Sequence, residues 1–484
     1  MKEHCGVIGI FSLEGHNVSP MLLAGLEALQ HRGQESWGIA VPNHQPYTKM
    51  GLVSRRHGEN HKVSKLVGNS GIGHVRYSTT ADSTLENAHP LQIGGSDGFC
   101  IAHNGTLDRD SLMLSLKEMG YTPIQSMTDT ELMGLGLYRN LKKQKSWLDA
   151  FESLNPELNG SYSIVILTAE GELIGARDEK GFRPLCLGWH EETNSYIIAS
   201  ESCALDRLGA KLIRDVQPGE MIKISKNGLE EQRFSVMEGH AHCPFEFTYF
   251  AHPSSCIEGV NVYHARKKIG EWLAEKYPIN GDVVIPVPDS ARPSALGYSE
   301  KSGIPFEEGL MKDRYRRKGS WRSFIEPEKR EEVVLNIYPI KEVVKGKEVI
   351  LVDDSIVRGT SSKIIVKEKL KNAKKVSMLI DFPPIIYPCY AGIDFPTQEE
   401  LLAYKVCKAS QDFDEIGRKV GKEIGVDLLG YNDVEGLSKG IGMRKDQICL
   451  SCTKGDYSCL KCNPIFKTRG EKIEKFMEPY TILG

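Results

Sequence analysis

The chain reads as an α/β protein in two halves: a layered sandwich of strands and helices, then a doubly wound parallel sheet. Two patterns carry that reading. Short apolar strands, turns and helix-length segments fill residues 5–238, whereas residues 239–470 alternate strand with helix. Length agrees, because 484 residues are too many for one ordinary core and suit two units of about 200 residues or more. The boundary falls at 235–242, where strand alternation stops and polar residues gather.

In the first half, strands are expected at 6–11, 36–41, 71–74, 99–103 and 161–167. Helices are expected at 21–30, 108–119, 130–140 and 147–154. Helices on the outer faces of strands make a layered sandwich. Segments 172–178 and 196–201 continue it, and the turn Gln217-Pro218-Gly219-Glu220 ends the pattern. In the second half, 262–276 reads as a helix, 282–288, 349–352 and 376–380 as buried strands, and 363–372 as a crossover helix. Ligands bind such sheets beyond the carboxyl ends of the strands, where Asp289-Ser290 and Asp353-Asp354 fall.

Charge excludes little else. The 61 basic and 64 acidic residues give a net −3, which offers no footprint for nucleic acid or for a membrane surface. No apolar run approaches the roughly 20 residues that span a bilayer. Met1 to His4 is too short and polar for a signal peptide, so a cytoplasmic location is expected.

Three sets of residues carry chemistry. The first is the strand at 349–352, which runs into Asp353 and Asp354, then Ser355, Ile356, Val357, Arg358, Gly359 and Thr360, with a helix following. A small-residue loop at a helix N-terminus is a ready anion site. The adjacent carboxylates suit ribose hydroxyls and Mg²⁺, a hard cation that takes oxygen ligands. An ordinary strand–helix turn is the plainer reading, but the whole run argues against it. The basic stretch 311–327 reads either as a solvated loop or as a lid that neutralises pyrophosphate and excludes water.

The second set begins at Cys5, which heads an apolar strand without a nearby cysteine partner. Removal of the four preceding residues would free its α-amine to act as general base for the thiol. A buried structural cysteine is the plainer reading. The third set is drawn from twelve cysteines, which a cytosolic chain does not use mainly as disulfides. Cys449-Leu450-Ser451-Cys452 and Cys459-Leu460-Lys461-Cys462 are two C-x-x-C pairs, a zinc-like pattern with a short gap.

These runs resemble known families. Lys347 through Ser362 is similar to the phosphoribosyl pyrophosphate loop of type I phosphoribosyltransferases. The segments Gln30-His31-Arg32-Gly33, Gly73-His74-Val75-Arg76-Tyr77 and His103-Asn104-Gly105-Thr106 resemble class II, N-terminal-nucleophile glutamine amidotransferases. Taken together, Cys5 to about Tyr457 resembles the amidophosphoribosyltransferase family. The resemblance implies a four-layer αββα fold for 5–238 and a type I phosphoribosyltransferase sheet for 239–470. It implies that Cys5 attacks glutamine, with Asn104 and the Gly105 N–H as an oxyanion hole. Arg32 and Gly33 would line that pocket, Arg76 would fork the α-carboxylate and Asp129 would hold the α-ammonium. Ser355, Ile356, Val357, Arg358, Gly359 and Thr360 would bind phosphoribosyl pyrophosphate, with Ser290, Asp353 and Asp354 beside Mg²⁺ and ribose. In one branch of the family four cysteines, matched here by Cys243, Cys389, Cys449 and Cys452, hold a [4Fe–4S] cluster. Cys459 and Cys462 are outside that pattern, which leaves open a local quartet with Cys449 and Cys452 for zinc or iron–sulfur, or no metal.

The implied reaction releases ammonia from glutamine and passes it through an internal channel to C1 of phosphoribosyl pyrophosphate. The products are 5-phosphoribosylamine, glutamate and pyrophosphate, the first step of de novo purine synthesis, and the implied assembly is a homo-dimer or tetramer. The chain also departs from the family. His252 and Ser254 replace Arg and Asp, the basic stretch is lengthened at 316–321, residues 333–339 lack the usual basic character, and Leu379-Ile380-Asp381-Phe382 stands where Arg and Ser are usual. Two further readings follow: a paralogue that delivers ammonia to another phosphorylated acceptor, and a phosphoribosyl-pyrophosphate-binding regulator without transferase activity.

Overall fold

The computed structural model describes residues 5–54, 61–77, 84–118, 128–144, 146–236, 239–313, 336–393 and 397–461. Met1 to His4, the basic stretch from Arg314 onward, 333–335 and Cys462 lie outside the described residues.

The first half holds two antiparallel sheets. One runs in the order β11-β9-β10-β1-β4-β2-β3, with β1 Gly6–Ser12, β2 Ser36–Ala40, β3 Tyr47–Met50, β4 Ser70–Arg76, β9 Cys186–His190, β10 Ser195–Ala199 and β11 Lys211–Asp215. The other runs β13-β12-β8-β7-β6-β5, with β5 Leu91–Ile93, β6 Phe99–Leu107, β7 Gly160–Thr168, β8 Leu173–Arg177, β12 Glu220–Ser225 and β13 Gly228–Arg233. Strand β1 explains the stacking. Its Val7 and Phe11 join Val165, Leu167 and Leu173 between the sheets, while Ile8 and Ile10 pack on Leu22 and Leu26 of the helix Ser19–Ala28. Both faces are covered, so the strand is a continuous apolar run. On the outer face of the second sheet, Ile101, Ile164 and Ile166 meet Leu132, Met133, Leu137 and Phe151 from the helices Asp129–Gln144 and Trp147–Leu154. The layers are therefore α, β, β, α.

The second half contains two short ribbons, β14 Cys256–Ile257 with β15 Val260–Asn261 and β17 Leu310–Lys312 with β18 Ile337–Pro339. Its main sheet is parallel, ordered β16-β19-β20-β21, from β16 Val283–Pro286, β19 Glu348–Asp353, β20 Lys375–Ile380 and β21 Leu428–Tyr431. Val349, Leu351, Met378 and Ile380 face Ile416, Val420 and Ile424 of the helix Phe413–Ile424. Ile350, Val352 and Leu379 face Leu273, Ala295 and Tyr298 from the helices Val262–Lys276 and Arg292–Ser302. Helices cover both faces, as a doubly wound sheet requires.

Two expectations are corrected. The turn at 217–220 does not end the sandwich, because it leads into the hairpin β12–β13. The crossover helix, expected to run to residue 372, passes from the helix Thr360–Ile364 into a wider turn that ends at Lys369.

Buried ion pairs join the halves. Arg32 clasps Glu246 through two bonds of 2.9 Å and also bonds Glu201. Arg183 reaches Glu246 at 3.2 Å and the Ala391 carbonyl at 2.7 Å, and Ser161 donates to that same carbonyl at 2.9 Å. Glu201 further accepts from the His252 N–H at 2.8 Å and the Ser255 hydroxyl at 2.7 Å. Burial pulls the Arg32 guanidinium down, but Glu246 and Glu201 outweigh it and keep it charged. Removing one partner of such a set leaves an uncompensated buried charge. Glu246→Gln is expected to lower stability by about 3–5 kcal/mol, read as an earlier urea transition. Glu435→Gln removes an exposed carboxylate paired only to Lys439 and Lys445, and is expected to change stability by no more than about 0.5 kcal/mol.

Candidate active sites

The first site lies at the edge where β1 meets β4. Gly6 pairs with Val75, so Cys5 comes level with Arg76 and Tyr77. The Cys5 thiol donates to the Tyr77 carbonyl at 3.4 Å. Arg32 Nε donates to the Cys5 carbonyl at 3.0 Å, so the residue is gripped at both sulfur and backbone. Gly33 lies flat on β4: a Cβ there would stand 2.5 Å from the Val75 carbonyl carbon and 2.7 Å from the Arg76 nitrogen, so only glycine fits. Burial raises the Cys5 thiol above its ordinary value. Nearby Arg76 lowers it and Asp129 raises it. The resting group is a thiol that needs a base before it can attack.

Strand β6 supplies the next residues. His74 Nε2 bonds the His103 carbonyl at 3.0 Å, tying β4 to β6 one residue before Asn104. The Asn104 side chain is fully buried, and neither its oxygen nor its nitrogen has a hydrogen-bond partner among the described residues. Such an orphan costs about 1–3 kcal/mol and is characteristic of a group kept for a ligand. Gly105 follows, where a Cβ would meet the Ser161 carbonyl oxygen at 2.1 Å. Asp129 opens the helix Asp129–Gln144 and accepts from the Leu107 and Thr130 N–H groups, each at 2.9 Å. A thiol, a buried arginine, a fixed carboxylate and a free amide thus converge, which suits an amino acid whose side-chain amide is to be cleaved.

The second site sits at the carboxyl ends of β19 and β20. Ser290 and Ser355 donate to the two oxygens of Asp354, each at 2.6 Å, and Asp353 accepts from the Asp354 N–H at 3.0 Å. Burial raises both carboxyls, and their mutual repulsion raises Asp353 further. Asp381 adds a third buried carboxyl. Ser294 donates to one of its oxygens, and the other has no partner among the described residues. Opposite stands Arg266, fixed on the Phe247 and Ala251 carbonyls at 2.7 and 2.8 Å and pulled down to about 10 by burial against the attraction of Asp354 and Asp381. The three buried carboxyls are oxygen groups of the kind a hard divalent cation takes, although their oxygens do not all lie within 4.8 Å of one another. The loop then turns through Gly359 at φ 75° into the helix Thr360–Ile364. Ile356 and Val357 are buried and anchor the loop. Arg358 is paired with Glu400 at 2.7 Å. Lys312 and Asp289 pair at 3.0 Å.

The third feature is a small apolar cavity lined by Cys243, Cys389, Cys449 and Cys452 with Phe182, Phe245, Ile393 and Tyr457. The structure also places Cys459 on its wall. Among the described residues, just one set of three potential ligand atoms lies within 4.8 Å, from His31, Glu201 and Cys203, and its Glu201 is already taken by Arg32. Among the described residues no three of the cavity thiols therefore lie within 4.8 Å of one another, whereas 2.3 Å bonds to zinc place tetrahedral sulfurs about 3.8 Å apart. Four separated thiols in an apolar chamber fit a larger iron–sulfur cluster.

Fold and site define a class: a glutamine amidotransferase joined to a phosphoribosyltransferase-type sheet. A glutamine amidotransferase domain model matches residues 74–207. The chain is 43% identical over 477 residues to an amidophosphoribosyltransferase of Methanocaldococcus jannaschii, covering 94% of this chain and 97% of that one. A second, from Archaeoglobus fulgidus, is 42% identical with the same coverage. The solved glutamine phosphoribosylpyrophosphate amidotransferase of Bacillus subtilis, complexed with ADP and GMP, superposes with a TM-score of 0.81 at 38% identity, covering 94% of this chain and 97% of that one. The chain belongs to the amidophosphoribosyltransferase family.

Sequence reasoning missed Arg183, Glu201, Glu246 and Arg266. A charged residue between two apolar ones, as in Phe245-Glu246-Phe247, was a faint signal for Glu246 alone.

Two histidines, His74 and His89, pack together behind the first site with ring centroids 4.5 Å apart. His74 is pulled down to about 3 and His89 well below the usual range, both chiefly by burial. They stay neutral when folded, whereas the unfolded chain protonates them below about 6.5. Their contribution is full above pH 6.5 and declines as pH falls. His74 is expected to cost about 2 kcal/mol of stability by pH 5, with His89 acting in the same direction. Urea midpoints at pH 7 and 5 should diverge, and His89→Gln should narrow the gap; an unchanged gap would refute the assignment.

Proposed function

We propose that the chain makes 5-phosphoribosylamine from phosphoribosyl pyrophosphate and glutamine. One observation carries this: a cysteine gripped at sulfur and carbonyl in one half, joined through Arg32 and Glu246 to the half bearing the paired carboxylates. Removal of Met1 to His4 frees the Cys5 amine, which takes the thiol proton. Sulfur then attacks the glutamine amide carbon. Asn104 Nδ2 and the Gly105 N–H stabilise the oxyanion, Arg76 holds the α-carboxylate and Asp129 the α-ammonium, and Arg32 and Gly33 set the position of Cys5. Ammonia leaves and water later hydrolyses the thioester. In the second half, Ser355 to Thr360 cradle the sugar phosphate. Ser290, Asp353 and Asp354 would hold Mg²⁺, which supplies charge neutralisation for the departing pyrophosphate. Cys243, Cys389, Cys449 and Cys452 would hold a [4Fe–4S] cluster, which supplies a cross-link between distant segments.

Domain limits of 5–238 and 239–470, a cytoplasmic location and a homo-dimer or tetramer belong to the same reading. No helix among the described residues is long and apolar enough to cross a membrane. A second reading, ammonia delivery to another phosphorylated acceptor, is favoured by the extra carboxyl of Asp381 beside the sugar site.

Cys5→Ala is expected to abolish glutamine-dependent pyrophosphate release and spare the ammonia-dependent reaction; loss of both would sink the two-site scheme. Asn104→Ala should lower glutamine-dependent kcat by about 10²–10³-fold, with ammonia-dependent turnover unchanged. Intact-mass analysis should find Cys5 as the first residue of active protein, and full glutaminase activity in an uncut sample would overturn the role of its amine.

A further inference from the structure

The cluster cavity has one thiol more than a cluster needs. Cys459 lies on its wall with Cys243, Cys389, Cys449 and Cys452. Ser451 stands between two of them, its hydroxyl 3.5 Å from the Cys449 sulfur and 3.4 Å from the Cys459 sulfur. Ser451 and Cys452 open a four-residue helix, Ser451–Lys454, and Leu460 packs beside Phe182 and Cys449, which holds the Cys459 segment against the chamber.

We propose that Cys459 is an exchangeable fifth ligand, able to take over from Cys449 on one iron of the cluster. This rests on the [4Fe–4S] reading above. In the exchange the bond from iron to Cys449 breaks and one from iron to Cys459 forms. The Cys459 proton passes through the Ser451 hydroxyl to the departing Cys449 thiolate. One thiolate replaces another, so no electron is gained or lost. The chemistry is that of an open corner: a labile iron site retains its cluster because a second sulfur is within reach.

The test uses anaerobically purified full-length protein, with iron, acid-labile sulfide and the reduced-state electron paramagnetic resonance spectrum as readouts. Parent, Cys449→Ser and Cys459→Ser are each expected to hold about four irons per chain, while Cys449→Ser/Cys459→Ser and Cys452→Ser lose the cluster. Parent protein without iron would sink the cluster reading itself. Loss of the cluster in either single variant, with the parent loaded, would overturn the exchange. Should the variants fail to fold, iodoacetamide labelling of the loaded parent decides the question. A single label shared between positions 449 and 459, counted by peptide mapping apart from the label on Cys5 and the cysteines outside the cavity, supports exchange, and label at 459 alone refutes it.

Discussion

Everything in this molecule leans on one buried carboxylate. Glu246 belongs by sequence to the second half, yet its oxygens bind Arg32 and Arg183 of the first. Arg32 in turn holds the carbonyl of Cys5. The turn that carries Glu246 continues to Phe247 and Ala251, whose carbonyls hold Arg266 opposite the paired aspartates. A single five-residue turn, Glu246–Phe250, therefore fixes a group at each site. Buried charge of this kind contributes little net stability. What it supplies is position, because no other packing satisfies the same charges.

The two sites handle electrostatics in opposite ways. Around Cys5 the charged groups are paired, and a neutral amide, Asn104, is among the buried side chains without a partner among the described residues. Around Asp353 and Asp354 the negative groups outnumber the positive ones, and burial pushes all three carboxyls up. The first arrangement suits a neutral substrate carbonyl that becomes an oxyanion. The second suits a cation-bound anion that enters as one unit.

Much of this was legible from residues alone, where a local rule was decisive. The apolar run before Asp353 ends a strand as expected, and 262–276 and 147–154 are helical to the residue. Short or exposed strands were not legible. Leu91–Ile93 has three residues and Lys211–Asp215 is largely exposed, so neither has a period to read. The seam was also hidden: Glu201 and Glu246 look like surface carboxylates until the fold brings Arg32 to them from 169 and 214 residues away. The same holds for Cys459, which joins the cavity by tertiary placement and not by spacing.

The cavity also bears on synthesis. Its wall includes Phe182 from the first half and Cys449, Cys452 and Leu460 from near the end, and Lys461 donates a backbone bond to Asn159 at 3.1 Å. A ribosome emits the sandwich long before these partners exist, and N-terminal units fold first. The nascent sandwich must wait with an apolar scar around Phe182 until the last stretch arrives to close it, so release of a truncated chain leaves that surface bare.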